Sequence, residues 1–326
     1  MSGLLHLDAL SLSLPAADGS RLFPVRDVTL SVGAAEVVGL AGESGSGKSL
    51  TAQSILGLLP RGARLSGRIL FDGHDLATLP QRELAAVRGR EIAMVFQDPM
   101  TALHPMLSIE RQMTEHLRHH RGLGRAAARS RAAELLDLVR IPRPEAALAR
   151  YPHQFSGGMR QRIAIASALA CEPKLLIADE PTTALDVTVQ AGILRLLQSL
   201  RETLGLSVLL ITHDLGVMSA LADRMAVMYA GRVVENGPRA ALMTRPRHPY
   251  TQGLLSALPR DDDTAHSLEA LPGAPPPITA LPDGCAFHPR CSWASAACRG
   301  AVPELERVGT EHVAACPVDP LAERAA

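Results

Sequence analysis

The chain has 326 residues, enough for two or three domains at ordinary domain sizes. A hydrophobic content of 47% supports a packed core and excludes a disordered chain. A formal net charge of zero and 3% aromatic residues give no general pull toward nucleic acid and few base-stacking platforms, so no nucleic-acid partner is expected.

Leu4 to Leu14 alternates apolar and polar residues and reads as an edge strand; Met1 to Pro15 has no basic start, which argues against a signal peptide. Val25 to Val32 is a second strand, and Val37 to Ala41 a short buried one. A glycine-rich loop follows, and a helix starts at Leu50, running toward Leu59. Ser66 to Gly73 suggests a hairpin with an Asp-Gly turn. Glu91 to Gln97 is a buried strand with a polar end, and Ile109 to Val139 has a helical pattern. A further helix covers Arg160 to Ala170. Lys174 to Ala178 and Ser207 to Thr212 are continuous apolar strands of the parallel-sheet kind, and Met225 to Val234 is a late hairpin around Gly231. Strands alternating with helices imply an α/β core, with a helical insertion at about 98–165. After about residue 245, Pro246, Pro249, Pro259, Pro272, Pro275, Pro276 and Pro277 break regular structure and mark a loop-rich C-terminal module, residues 246–326. No apolar run approaches the ~20 residues that span a bilayer. The chain is expected in the cytosol, with any membrane role supplied by a partner.

The loop is Gly42-Glu43-Ser44-Gly45-Ser46-Gly47-Lys48-Ser49, which fits G-x-x-x-x-G-K-[ST] between a strand and a helix. Glycines let backbone N–H groups surround an anion, and the helix start adds partial positive charge. Lys48 suits the β- and γ-phosphates and Ser49 suits Mg²⁺, with Leu50 continuing the helix. Lys48 and Lys174 are the only lysines among 33 basic residues, so the lysine in this loop stands where arginine does not serve.

Leu175 to Glu180 is an apolar strand ending in two acids. Beside a phosphate loop, Asp179 is the candidate Mg²⁺ carboxylate and Glu180 the group that polarises water. Alone, such a pair is as readily two solvated acids. Gln97 and His213 also end apolar strands, where ligands sit in open α/β sheets. Taken singly, each is more often a hydrogen-bonding cap. Phe155-Ser156-Gly157-Gly158-Met159-Arg160-Gln161-Arg162 opens a helix with a second anion-binding turn.

In this order, the phosphate loop, Gln97, Phe155 to Met159, Ala178-Asp179-Glu180, Ala184-Leu185-Asp186 and His213 resemble the ATPase subunits of ATP-binding-cassette transporters. The resemblance covers roughly residues 4–260. It implies a P-loop NTPase (RecA-like) core with an antiparallel β subdomain and an inserted helical subdomain, residues 1–245 forming the cassette. It implies ATP and Mg²⁺, held by Ser49, Gln97 and Asp179. Glu180 would be the catalytic base, Asp186 would serve inter-subunit communication, and His213 would be the γ-phosphate switch. Ser156, Gly157 and Gly158 would grip the nucleotide bound to a second ATPase subunit, identical or homologous, in a head-to-tail sandwich. That family usually stacks adenine on an aromatic near the end of the first strand. Leu14 holds that place here, and Phe23 is the nearest aromatic.

Within the family, Gln97 to Pro105, Phe155 to Arg162 and Arg247-His248-Pro249-Tyr250-Thr251 resemble the oligopeptide/dipeptide importers. That implies two transmembrane permease subunits, an extracytoplasmic peptide-binding protein, and a peripheral place on the cytoplasmic face of the inner membrane. A nickel or other small-solute importer is the alternative; a soluble cassette protein fits less well, because the chain has one cassette and no sustained heptads. The apolar segment Pro99 to Met113, with Met100, Leu103, Met106, Leu107 and Ile109, is either a docking surface for a permease helix or ordinary loop packing. Cys285, Cys291, Cys298 and Cys316 cluster in the tail, with Cys171 apart. Their spacing supports four thiolate ligands without naming a metal. The resemblance implies a [4Fe–4S] cluster; zinc ranks second and no metal third.

Overall fold

The computed structural model describes residues 3–98, 102–183, 185–258 and 271–320. The chain divides into two compact units: Met1–Ser31, Val37–Ala77 and Thr212–Ala326 in one, Val32–Glu36 and Thr78–Ile211 in the other.

In the first unit, β1 (Leu5–Pro15) lies between β2 (Arg21–Val32) and β4 (Arg64–Phe71), so it is interior to its sheet and not the edge strand its alternation suggests. Leu5 and Leu7, then Leu10 and Leu12, are fully buried. The one-residue slip in that alternation falls at Ala9 (φ 47°), where the pairing with β4 shifts register, and this bulge keeps all four leucines on one face. The turn from β4 to β5 (His74–Asp75) is the expected Asp-Gly pair, with φ of 48° at Asp72 and 83° at Gly73. Strand β3 (Val37–Ala41) is buried throughout and leads into the phosphate loop.

In the second unit, β6 (Ile92–Val95), β7 (Leu175–Asp179) and β8 (Ser207–Ile211) run parallel in the order β8-β7-β6. Every residue of β7 and β8 is buried, which is why both read as unbroken apolar runs. Strand β6 stops at Val95, short of the expected Gln97, and Phe96 is exposed. The helical pattern over 109–139 is two helices, Ile109–Arg121 and Arg125–Leu138. Gly122 ends the first in the left-handed region, and Ile109, Met113 and Leu117 form its buried stripe at four-residue spacing. Among the described residues no helix is long and apolar enough to cross a membrane.

The first unit resumes with β9 (Arg224–Tyr229) and β10 (Arg232–Pro238), the expected hairpin around Gly231. Strand β9 runs parallel to β3. From the proline-rich tail, β11 (Glu306–Gly309) and β12 (His312–Ala314) complete the order β11-β12-β10-β9-β3. Glu235 on β10 is fully buried, and its carboxylate accepts from Arg247 N–H (2.7 Å), His248 N–H (3.0 Å) and His312 Nε2 (2.8 Å). Three partners make that buried acid tolerable.

His248 caps the helix Pro249–Ser256, its Nδ1 accepting from Tyr250 N–H at 3.0 Å. The ring is buried, and burial pushes its pKa from 6.5 down to about 4, with Glu235 opposing weakly. Between these values the unfolded chain takes up a proton that the folded chain refuses. The His248 contribution is therefore whole above about pH 6.5 and is lost as the pH falls toward 4. In thermal melts the wild type should lose more Tm between pH 7 and 5 than His248→Asn, whose amide oxygen can still cap the helix; equal slopes would reject this account.

Candidate functional site

The phosphate loop is set by steric close approach as much as by turn geometry. Gly42 (φ 149°) and Gly47 (φ 102°) leave no room for a side chain: a Cβ would lie 2.2 Å from Met228 O at Gly42 and 2.4 Å from Pro24 O at Gly47. Both obstacles are backbone, which cannot swing aside. The helix Lys48–Ile55 begins directly after Gly47, two residues earlier than expected, with no side-chain cap. Its first-turn N–H groups are the donors an anion takes at a helix start. Lys48 is 5% exposed, and its Nζ donates to Gly42 O (2.7 Å), Glu43 O (2.9 Å) and Ser46 Oγ (3.3 Å). Ser49, half-buried, and Leu50 occupy the first turn of that helix. On β2, Phe23 is exposed, while Leu14 on β1 is half-buried.

Asp179 ends β7 and is buried. Glu180, next in the chain, adopts φ 47°, a region a non-glycine residue occupies at a cost of about 1–3 kcal/mol. Its N–H donates to Ile211 O at 2.8 Å, which holds the turn. The Glu180 Oε2 accepts from Gln97 Nε2 (2.9 Å) and Thr183 Oγ1 (2.8 Å). Gln97 and Glu180, 83 residues apart in sequence, thus meet beyond the carboxyl ends of adjacent strands β6 and β7. Thr183 was not anticipated, although it lies three residues from the acid it orients.

The helix Gly157–Ala168 is capped by Ser156, whose Oγ accepts from Met159 N–H at 3.4 Å. It begins earlier than the expected Arg160 because Ser-Gly-Gly is the cap and first turn rather than a loop. A Cβ on Gly158 would come 2.5 Å from Val189 Cγ1, so this helix start packs onto that of Val187–Leu204. Asp186 caps the latter, its Oδ1 accepting from Val189 N–H at 2.9 Å. Ala184 lies outside the described residues. In the first unit, His213 is exposed on the turn before the helix Leu215–Leu221, which Asp214 caps through Gly216 N–H at 2.7 Å.

The apolar segment after Gln97 divides. Leu103, Ile109 and Met113 are core residues, which removes them from any docking surface; Met106 is exposed and Leu107 half-buried. Pro99, Met100 and Thr101 lie outside the described residues.

Cys285, Cys291, Cys298 and Cys316 line one small pocket, walled by Phe287 and Trp293 among others. Burial pushes Cys316 up to about 12, against a backbone hydrogen bond with Val318 and with smaller help from the neighbouring thiols; Cys285 is also raised, chiefly by burial. Among the described residues, no group of three or more His, Cys, Asp or Glu is drawn into metal-holding geometry. Cys171 is buried elsewhere, its thiol 3.7 Å from His116 O.

Besides Thr183, sequence reasoning gives no sign of Arg290 and Tyr229, and marks Tyr250 only as part of a subfamily motif, not as a partner of the loop. Arg290 pairs with Glu43 of the phosphate loop across 247 residues of sequence, a separation at which no local pattern gives a signal.

Residues 25–183 match the family model described as ABC transporter, and residues 234–298 the one described as oligopeptide/dipeptide transporter, C-terminal region. A putative peptide import ATP-binding protein of Brucella abortus (strain 2308) is 51% identical over 307 residues, covering 94% of this chain and 92% of that protein. OppD of Salmonella typhimurium, an oligopeptide transport ATP-binding protein, is 45% identical over 320 residues, covering 98% and 95%. Among solved structures, the dimeric bacterial ABC transporter cassette MJ0796 superimposes with a TM-score of 0.64 at 30% identity, over 72% of this chain and 98% of that one.

Proposed function

The chain belongs to the ABC transporter family, and on that basis we propose that it is the ATP-hydrolysing subunit of a di- or oligopeptide importer. The observation that carries this reading is the pairing, in one chain, of the cassette match with the peptide-transporter C-terminal match. Residues 1–245 serve as the cassette, with a helical subdomain at about 98–165, and 246–326 as the C-terminal module.

Gly42 to Leu50 hold the ATP phosphates, with Lys48 as the compact cation. Ser49, Gln97 and Asp179 hold Mg²⁺, which offsets phosphate charge when bound. Glu180, oriented by Gln97 and Thr183, accepts the proton of the attacking water; its fixed geometry supports this role. His213 contacts the γ-phosphate. Ser156, Gly157 and Gly158 grip the nucleotide held by a second ATPase subunit, and Asp186 carries the message between the two. Closure of that sandwich and its reopening after hydrolysis shift a pair of permease subunits between their two access states. The chain sits on the cytoplasmic face of the inner membrane, and an external peptide-binding protein delivers the cargo.

Cys285, Cys291, Cys298 and Cys316 would hold a [4Fe–4S] cluster, with zinc as the second choice. What supports this reading is that the four thiols line one pocket, the residue type such a group takes; among the described residues they do not stand in metal-holding geometry, so binding would have to draw them together. Such a group, when bound, cross-links a segment with little core of its own. Anaerobically purified protein should be brown with thiolate-to-iron absorbance, lost in Cys291→Ser. Colourless protein with one zinc per chain would reject iron, and metal-free protein would reject both.

The whole reading is tested by reconstituting the chain with a permease pair and a peptide-binding protein in liposomes. ATP turnover should rise when peptide is added. Turnover that ignores peptide but responds to a small solute would replace the assigned cargo.

A further inference from the structure

The second residue of the phosphate loop is an acid. A carboxylate beside an anion site repels the phosphates it should help to hold, so what Glu43 touches matters. Its carboxylate meets the Arg290 guanidinium in a two-pronged pair: Nη1 donates to Oε2 at 2.6 Å and Nη2 to Oε1 at 2.9 Å. The Arg290 side chain is 5% exposed. Two more of its donors are fixed, Nε by Pro272 O at 2.8 Å and Nη1 by Tyr229 Oη at 3.3 Å. The Glu43 N–H donates to Tyr250 Oη at 2.8 Å. Its carbonyl accepts from Lys48 Nζ at 2.9 Å. Glu43 is thus gripped at its amide and its carboxylate by residues from beyond 245, and its carbonyl in turn places the loop's lysine.

We propose that Arg290 is a positioning residue of the ATP site, and that the C-terminal segment is thereby part of the nucleotide-binding apparatus. A bidentate guanidinium–carboxylate pair is stronger and more directional than an ammonium contact, which is why arginine suits this place and lysine suits position 48. The pair offsets the loop's own negative charge. It also fixes the peptide unit whose oxygen carries Lys48 Nζ. Arg290 touches no nucleotide in this role and acts through Glu43.

The inference rests on the ATPase reading, and the experiment separates the two. In the full-length chain, KM for ATP, kcat and the Kd of a fluorescent ATP analogue are measured for wild type, Arg290→Met and Arg290→Lys. Arg290→Met should raise KM and Kd about tenfold with kcat within about threefold, and Arg290→Lys should recover part of the loss. A purely structural role would lower kcat and Tm together and leave no such split. If Arg290→Met does not fold, Arg290→Lys decides, with a rise in KM of about threefold expected. Unchanged KM and Kd in a folded Arg290 variant, beside an active wild type, overturn this inference alone. A wild type that binds no ATP overturns both readings.

Discussion

Glu180→Gln should bind ATP, hydrolyse it about 10²–10⁴ times more slowly than wild type, and accumulate as an ATP-dependent dimer. Glutamine has nearly the shape of glutamate, and its oxygen can still accept from Gln97 and Thr183, which hold the acid at 2.9 and 2.8 Å. The strained φ of 47° at this position is backbone-borne and survives the change. The substitution therefore removes proton acceptance and little else. In the proposed cycle, ATP closes two subunits and hydrolysis parts them. A subunit that binds but does not hydrolyse should stay closed, visible as a doubling of apparent mass in size-exclusion runs with ATP and not with ADP. Full ATPase activity in this variant would remove Glu180 from the mechanism.

Lys48→Ala should lose ATP turnover by at least about 100-fold, with nucleotide binding weakened to match. The ammonium is 5% exposed and spans Gly42 O, Glu43 O and Ser46 Oγ. No other loop residue brings a cation to the phosphates from that position. Lys48→Arg should fare little better, because a planar guanidinium cannot occupy the compact space of an ammonium held by three oxygens. Isothermal titration with ATP is the direct check. Wild-type affinity in Lys48→Ala would show that the backbone N–H groups alone carry the phosphates.

Much of the site is legible from local sequence because local sequence makes it. The phosphate loop is eight contiguous residues, so its whole pattern lies in local sequence. The Gln97–Glu180 contact follows from a rule about where parallel strands end, so two strand ends found separately come together. Other features escape for physical reasons. The interior place of β1 depends on which strands pair with it, which alternation alone does not encode. Leu103, Ile109 and Met113 look like a docking face because apolar residues in a turn-rich stretch serve core and surface equally well. The break between Ile109–Arg121 and Arg125–Leu138 was readable at Gly122, but the strong helical pattern on both sides masked it. The Arg290–Glu43 pair had no readable sign, since ion pairs between distant segments obey no spacing.

The buried carboxylate of Glu235 has a consequence for biogenesis. All three of its partners, at 247, 248 and 312, follow it in sequence, beyond residue 245. A ribosome adding roughly 5–20 residues per second needs on the order of 4–15 s to deliver the last of them after Glu235 itself has been made. Through that interval β10 is an open strand edge whose acid lacks its His312 partner, a condition that favours pairing with another chain. A chain cut at 245 loses all three partners and strand β12 for good, so its fate should be inclusion bodies rather than an active minimal ATPase.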